Sequence, residues 1–419
     1  MRTTGLLVAY YSSKEKDAIM HLRKFLIAAG VMGVSVTSAL AQESQDSVRA
    51  TVSQMMSDAQ SRTSLSNGGA PAGHDANGFF LAGDNGFRLN IGGDLQFRYT
   101  ANLNDNGTGG TEYTGGFSLP LVRLRTTGTL NDSIDFAVEL DLNRSSGQAT
   151  LKDAYAGINM LGGNWRFGQF KLPFLREQLV SDHYQLAADR SVVAYIFNMD
   201  RSQGVQATYD VGNLRIQGAF SDGFNTANTD YTDARESDYA LTGRAEYLVS
   251  GDRADFKDFT SSSDKGVELL AGGAFHFQNG KTQDRLYSYT GDLSFKNGAW
   301  SAFAAGVGRN VETVGGSFDD YGVVGQVAYR VTEKFEPFAR YDAVFADSDR
   351  GLARDNFNFV TAGVNYYMAG HAAKFTVDGV WSINETTGLN SLGGFSGTNL
   401  LGSPNKNEVV ARVQLQVMF

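Results

Sequence analysis

The densest set of groups able to do chemistry lies in residues 173–203. There Arg176, Asp182, His183, Asp189, Arg190, Asp200 and Arg201 are set among Phe174, Leu175, Leu179, Tyr184, Leu186, Val192, Val193, Tyr195, Ile196 and Phe197. A stretch this apolar does not stay in water, and one this charged does not stay in lipid. Both demands are met if a long connection folds into a water-filled lumen, packs its apolar residues on the inner wall and narrows the path with its charges. Lys171, Arg176, Asp189, Arg190 and Arg201 are then the constriction candidates. The alternative is an external loop packed on a neighbouring protomer. Covalent and metal chemistry are poorly served. The chain has no cysteine, which excludes disulfides and thiolate sites. The five histidines, His21, His74, His183, His276 and His371, show no HExxH or paired-ligand spacing. A hydrolase needs a serine, a histidine and an orienting partner, and His276, on a strand with lumen parity, reads as a pore-lining polar residue. No enzyme, metal or cofactor is expected. Asp347 to Gly351 (DSDRG) lacks the spaced ligands and closing Glu of a calcium loop.

Such a loop needs a lumen, and the rest of the chain has the pattern for one. In residues 408–419 (EVVARVQLQVMF), Val409, Ala411, Val413, Leu415, Val417 and Phe419 share one face, while Arg412, Gln414 and Gln416 share the other. A membrane strand with lipid outside and water inside reads this way. A soluble sandwich strand alternates too, so composition must decide. Hydrophobic residues make up 42% of the chain and mean hydropathy is -0.25. Past residue 41 no apolar run approaches the roughly twenty residues of a helical span. The 49 Gly, 28 Phe and 18 Tyr against 5 Pro suit short strands with tight turns and aromatic girdles. From Phe87 the chain divides into about sixteen alternating segments, beginning with 87–99, 119–130, 134–143, 150–159 and 164–172. An even number is what a single-chain bacterial barrel requires. The predicted fold is all-β, a transmembrane antiparallel β-barrel of about sixteen strands with a long inward-folded constriction loop.

Connections after odd strands should be long and external, and those after even strands short and periplasmic. Segments 100–118, 173–203, 221–238, 310–320, 346–356 and 384–407 read as long, and 131–133, 211–212, 296–298 and 332–334 as tight. Segment 250–266 is long where a short turn is expected. Parity then sorts the charges, because one facing lipid at midplane costs about 2–4 kcal/mol. Arg88, Arg98, Arg123, Arg125, Arg215, Arg244, Arg330, Arg340, Lys374 and Arg412 point inward, as do Asp94, Asp135, Glu139, Asp141, Glu246, Glu268, Glu336, Asp342 and Asp378. Most lumen charges pair with one another, so a polar, conducting interior follows without a readable ion preference. Lys171 breaks the pattern. With Trp165 and Phe167 toward lipid it shares their side, unless a bulge at Gly168 or the entry into the loop turns it inward; otherwise it snorkels at the rim.

The amino terminus reads as an address. Residues 20–41 form a signal peptide, with basic Arg23 and Lys24, an apolar stretch at 25–36 too short to span, and a cleavage box at Ala39 to Ala41. Residues 1–19 read as an upstream extension from a misplaced start. Residues 42–78 read as a periplasmic helical or linker segment carrying a heptad-like stripe of Val48, Val52, Met55 and Ala59, and residues 79–419 as the barrel. Removing the five basic and two acidic residues of 1–41 takes the net charge from -9 to -12, which argues against nucleic acid as a partner.

Sharper motifs surround the charged loop. Residues 168–174 (GQFKLPF), 189–191 (DRS), 201–204 (RSQG) and, more loosely, 247–256 (YLVSGDRADF) resemble the signature stretches of the phosphate-selective porin O and P family. Val249, Ser250 and Asp252 stand where that family carries Leu, Thr and Glu. The resemblance implies a sixteen-stranded, homotrimeric channel of the bacterial outer membrane, in contact with its lipid and lipopolysaccharide. It also implies passage of small hydrophilic solutes, anions such as phosphate among them, past Arg and Lys side chains. Lys171, Arg190 and Arg201 are the positions onto which the motif residues carry. Against a dense cation ladder, residues 79–419 hold 29 Lys plus Arg and 39 Asp plus Glu. Two other classes stay open: a structural barrel tethered through residues 42–78, and a barrel hydrolase.

Overall fold

Period-two alternation over ten or more residues produces strands that bury neither face in protein alone, and such strands are stable in a membrane only when the sheet closes on itself. The computed structural model describes residues 72–75, 78–105, 110–142, 147–261, 265–280, 285–392 and 397–419. The expected upstream extension (1–19), signal peptide (20–41) and heptad-like stripe lie outside the described residues. A short hairpin of β1 (Ala72–Asp75) and β2 (Gly78–Ala82) comes first. It is followed by β3 (Arg88–Asp105), β4 (Thr111–Asn131), β5 (Ile134–Leu142), β6 (Ala149–Met160), β7 (Gly163–Lys171), β8 (Arg201–Val211), β9 (Leu214–Ser221) and β10 (Ser237–Ser250). The second half runs through β11 (Glu268–Gly280), β12 (Arg285–Asn297), β13 (Trp300–Thr313), β14 (Gly316–Tyr329), β15 (Phe335–Phe345), β16 (Asn356–Tyr367), β17 (Ala373–Ser382) and β18 (Val409–Met418). Consecutive strands from β3 to β18 pair antiparallel, and β18 pairs back onto β3 from Val409 opposite Leu103 to Met418 opposite Asp94. The sixteen strands thus close a barrel without an open edge.

The seam is finished from both ends of the chain. Phe419 exchanges backbone hydrogen bonds of 2.8 and 3.0 Å with Gly93, and its ring lies where a Cβ on residue 93 would be, 2.7 Å away. Below it, β2 pairs with β3 from Phe79 opposite Ile91 to Ala82 opposite Arg88, covering the part of β3 that β18 does not reach. The outer wall carries Leu241, Tyr247, Tyr289, Leu293, Trp300, Val323, Val327 and Val417, all well exposed. They face lipid on the same parity that the sequence assigns. Among the described residues no helix is long and apolar enough to cross a membrane; the crossing is made by strands.

Four departures from the sequence reading have physical reasons. Segment 100–118 is mostly strand, because β3 and β4 continue as a tall hairpin in which the Tyr99 and Tyr113 hydroxyls meet at 2.6 Å and the Tyr99 and Phe117 rings pack at 4.9 Å. Segment 310–320 likewise continues β13 and β14 to a turn at 314–315, with Asn310 bonded across it to Ser317 and Asp319. The end of the 42–78 segment contains β1, whose Asp75 pairs with Arg88 and whose Gly73 accommodates the Phe80 ring. Of segment 250–266, the described residues 250–261 do not hang in water but turn into the barrel, with Phe256 and Phe259 buried. Asp347, in the calcium-like stretch, caps its own turn by accepting from the backbone of Asp349 and Asp319.

Residues 172–200 enter the lumen. They contain α1 (Arg176–Leu179), a 3-10 turn at Asp182–Tyr184 and α2 (Val192–Phe197), which Ser191 caps by accepting from the Ala194 N–H at 3.0 Å. Phe174, Val192, Val193, Ile196 and Phe197 are at most 2% exposed, packed with Val307, Val344, Phe357, Phe359, Val380 and Val410 of the inner wall. Leu389, Leu392 and Leu400 of the last external connection join them. Burying each large apolar side chain contributes about 1.5–3 kcal/mol, enough to hold the loop against the wall.

Candidate functional site

A buried loop must have its backbone polar groups satisfied, and here the inward charges of the wall do this. Arg244 donates to the Phe174 carbonyl (2.8 Å), Lys374 to that of Gln185 (2.7 Å), Asn365 to Leu186 (2.9 Å), Arg98 to Ala188 (2.9 Å), Arg340 to Asp189 (2.9 Å) and Arg309 to Ile196 (2.9 Å). In the other sense, Asp378 accepts from the Ala188 N–H (2.8 Å) and Asp342 from that of Val192 (2.9 Å). Asp189 then bridges Arg98 and Arg412, each at 2.6 Å, while Arg412 also holds Asp378 at 2.7 Å. The loop backbone is thereby fastened to the ten strands β10 to β18 and β3.

The opposite flank stays open. A periplasmic vestibule of about 710 Å³ is lined by Asp135, Asn159, Asn164, Arg166, Thr208, Asp210, Arg215 and Gln217. Above it a narrower cavity of about 200 Å³ lies between the loop and the wall, lined by Arg123, Glu139, Asp153, Tyr155, Arg166, Lys171, Ser181, Arg201, Gln206 and Gln217. Arg166 and Gln217 belong to both. Gly168 takes φ +132°, a conformation that side-chain-bearing residues avoid; a Cβ there would fall 2.2 Å from the Ala154 carbonyl oxygen. The register of β7 with β6 and β8 nevertheless runs unbroken through Gly168, so no bulge turns the facing; Lys171 is the last residue of β7, at the entry into the loop, directly opposite Arg201 on β8.

The cavity's cations differ in how they are neutralised. Arg123 is held by Asp141 (2.5 Å), Asp182 (2.9 Å) and Glu139 (3.2 Å), Arg125 by Asp94 (2.8 Å) and Glu139 (3.1 Å), and Arg201 by Asp153 (2.9 Å), Glu139 (3.1 Å) and Asp200 (3.2 Å). Lys171 donates only to the Gln178 carbonyl at 2.9 Å. Arg166 stacks over the Tyr155 ring, 4.7 Å from its centroid, and its Nε has no hydrogen-bond partner. Neither makes an ion pair with a described carboxylate. On the loop, burial alone would raise the pKa of Asp182, but Arg190, Arg123 and Lys171 together hold it well below the usual carboxylate range.

Of the five constriction candidates, Lys171 and Arg201 line the cavity and three do not. Arg190 is spent within the loop, donating to the Glu177 (3.0 Å) and Val180 (2.7 Å) carbonyls and pairing with Asp182. Asp189 faces the seam, and Arg176 points to the periplasmic side, where it pairs with Glu246 and donates to the Phe256 carbonyl. A guanidinium inside a folded loop meets carbonyl oxygens before it meets water. The lumen-lining set divides in the same way. Arg98, Arg244 and Arg412 are inward but covered by the loop. Arg123, Glu139, Asp135 and Arg215 line the open flank, and Arg125 and Asp141 pair with residues there. Arg166, Asp153, Tyr155 and Gln217 were not singled out by sequence. Arg166 was within reach, lying between outward Trp165 and Phe167. His276 is buried between Thr242 (2.8 Å) and Gln278 (3.2 Å), and among the described residues no cluster of His, Asp and Glu could hold a metal.

Known proteins share this architecture. The anion-selective porin from Comamonas acidovorans superposes with a TM-score of 0.57 at 12% identity, over 80% of this chain and 100% of that one. In vitro folded OmpT in its trimer form, an outer membrane protein of Vibrio cholerae, gives 0.55 at 13% identity, over 80% and 99%. The outer membrane channel DcaP of Acinetobacter baumannii gives 0.54 at 14% identity, over 80% and 98%. At these identities the likeness concerns the fold. No curated protein matches the sequence. The family model described as phosphate-selective porin O and P, by contrast, matches residues 89–416, so the chain belongs to that family of bacterial outer-membrane porins.

Proposed function

We propose that this porin is a passive diffusion channel for small hydrophilic solutes, that its path follows the β4 to β9 wall, and that it favours anions at the narrowing. The observation that carries this reading is Arg166, a cation on the open flank without a carboxylate partner among the described residues, with Lys171 lining the same cavity beside Asp182. A fixed charge left uncompensated in a narrow aqueous path attracts the opposite ion. The family's description and the name of the Comamonas porin point the same way. Phosphate fits the pair's chemistry, since a guanidinium and an ammonium both donate to its oxygens. Glu139 and Asp153 face the same cavity and favour weak, multi-ion passage over tight capture. We further infer export by a cleaved leader at residues 20–41, residence among outer-membrane lipid and lipopolysaccharide, and assembly as a homotrimer. The test is the reversal potential of single channels under a KCl gradient: chloride preference supports the reading, and potassium preference rejects the anion part of it. Block of chloride current by micromolar phosphate would establish a specific phosphate site, and none at millimolar phosphate would reject one.

A further inference from the structure

The connection between β10 and β11 is a periplasmic one that should be short, yet it is seventeen residues long, and its described residues 251–261 fold upward into the lumen. Its Phe256 and Phe259 are 1% and 5% exposed, low values for a connection facing the periplasm. Phe259 packs in one apolar cluster with Val180, Leu186 and Ala187 of the constriction loop and with Phe303 and Phe338 of the wall; its ring is 4.8 Å from that of Phe303. Two polar contacts join turn and loop directly. The Phe259 N–H donates to the Tyr184 carbonyl at 3.5 Å, and Arg176 of the loop donates to the Phe256 carbonyl. Three more fasten the turn to the wall. Asp258 accepts from Lys296 at 2.7 Å and approaches His371 Nε2 at 3.5 Å, and the Ser261 N–H donates to Glu336 at 3.0 Å.

The turn is therefore wedged under the loop on the side away from the open flank. Packed interiors transmit displacement because they contain few voids. Whatever lets Val180 to Leu186 sink toward the periplasm carries Asp182 away from Arg123 and enlarges the cavity at Lys171. We propose that the 251–261 turn is the seat of the constriction loop, with Phe259 as the positioning residue and Asp258 as its clamp, and that together they set the channel's cross-section without touching solute. This rests on the reading of the open flank as the conducting path. Arg176 then acts as a strut between loop and seat.

The experiment compares single-channel conductance and reversal potential in planar bilayers for the full chain and for Phe259→Ala, Phe259→Leu and Asp258→Asn. Phe259→Ala and Asp258→Asn should raise conductance roughly 1.5-fold or more and move the reversal potential toward zero as the cavity widens, with Phe259→Leu restoring most of both. A merely structural role would lower unfolding temperature and leave the open-channel values unchanged, and that result in the folded variants overturns the proposal. Should Phe259→Ala fail to fold, Asp258→Asn, which opens no void, decides alone. Amide hydrogen exchange over residues 176–190 separates this claim from the channel reading. Faster exchange in the variants of a barrel that carries no current would sink the path while keeping the seat, and unchanged exchange would sink the seat.

Discussion

At the residue scale, the lumen of this porin is charged chiefly because it holds a polypeptide, and only secondarily because it holds ions. Arg98, Arg244, Arg309, Arg340 and Lys374 donate to loop carbonyls, and Asp342 and Asp378 accept from loop amides. Parity along the strands showed that all of these side chains but Arg309, which it left unassigned, point inward, because lipid leaves a charge no alternative. Their partners were hidden, because a carbonyl from a segment up to two hundred residues away carries no signal in the strand itself. What is left for solute is Arg166 and Lys171. Replacing Arg166 by Gln removes one positive charge that has no carboxylate partner among the described residues. A unit charge at 4 Å in water is worth about 1 kcal/mol, so the chloride-over-potassium permeability ratio should fall roughly fivefold, read from the shift in reversal potential. An equal change at Arg98, covered and paired with Asp189, would leave the ratio nearly unmoved if the loop stays seated. Should Arg166→Gln behave like wild type, that cation is not on the path.

At the element scale, the constriction loop was legible from its composition, since a thirty-residue connection with ten large apolar residues must be buried somewhere. Which of its charges face the path was not legible, and Arg176, Arg190 and Asp189 each turn to a different partner. The entry to the loop depends on Gly168. Alanine there must relax a Cβ placed 2.2 Å from the Ala154 carbonyl oxygen at φ +132°, at a cost of roughly 1–3 kcal/mol. Gly168→Ala should therefore lower the midpoint of denaturant unfolding. The pH dependence of the loop's seating follows from Asp182. Its carboxyl titrates well below the ordinary value of 3.8, so the stability it contributes is fully present above about pH 4 and is lost as the pH falls through the lowered pKa. Hydrogen exchange over residues 176–190, corrected for the intrinsic rate, should be flat from pH 7 to about pH 4 and rise only below. A rise beginning near pH 6 would assign the seating to another group.

At the scale of the whole molecule, the barrel was the most legible part, because closure, lipid outside and water inside impose one rule on every strand. The segments 134–143 and 164–172 match β5 (Ile134–Leu142) and β7 (Gly163–Lys171) to within a residue. The rule fails at the ends of strands, where lipid no longer constrains them. There β3 and β4 run on past their expected limit, the β1–β2 hairpin covers the seam, and the 251–261 turn enters the lumen. The two sides of the barrel consequently differ: the ten strands β10 to β18 and β3 fasten the loop backbone, while the six from β4 to β9 border open space and meet the loop through Arg123 and Asp182. That asymmetry is the central claim, and the cysteine-free chain allows it to be probed cleanly. The most direct measurement is single-channel current through Gln217→Cys before and after a negatively charged methanethiosulfonate, with Ser294→Cys, inward-facing on β12 but buried, treated alongside. Stepwise loss of current in Gln217→Cys with no change in Ser294→Cys is the predicted result; block through Ser294→Cys with Gln217→Cys unaffected would contradict it.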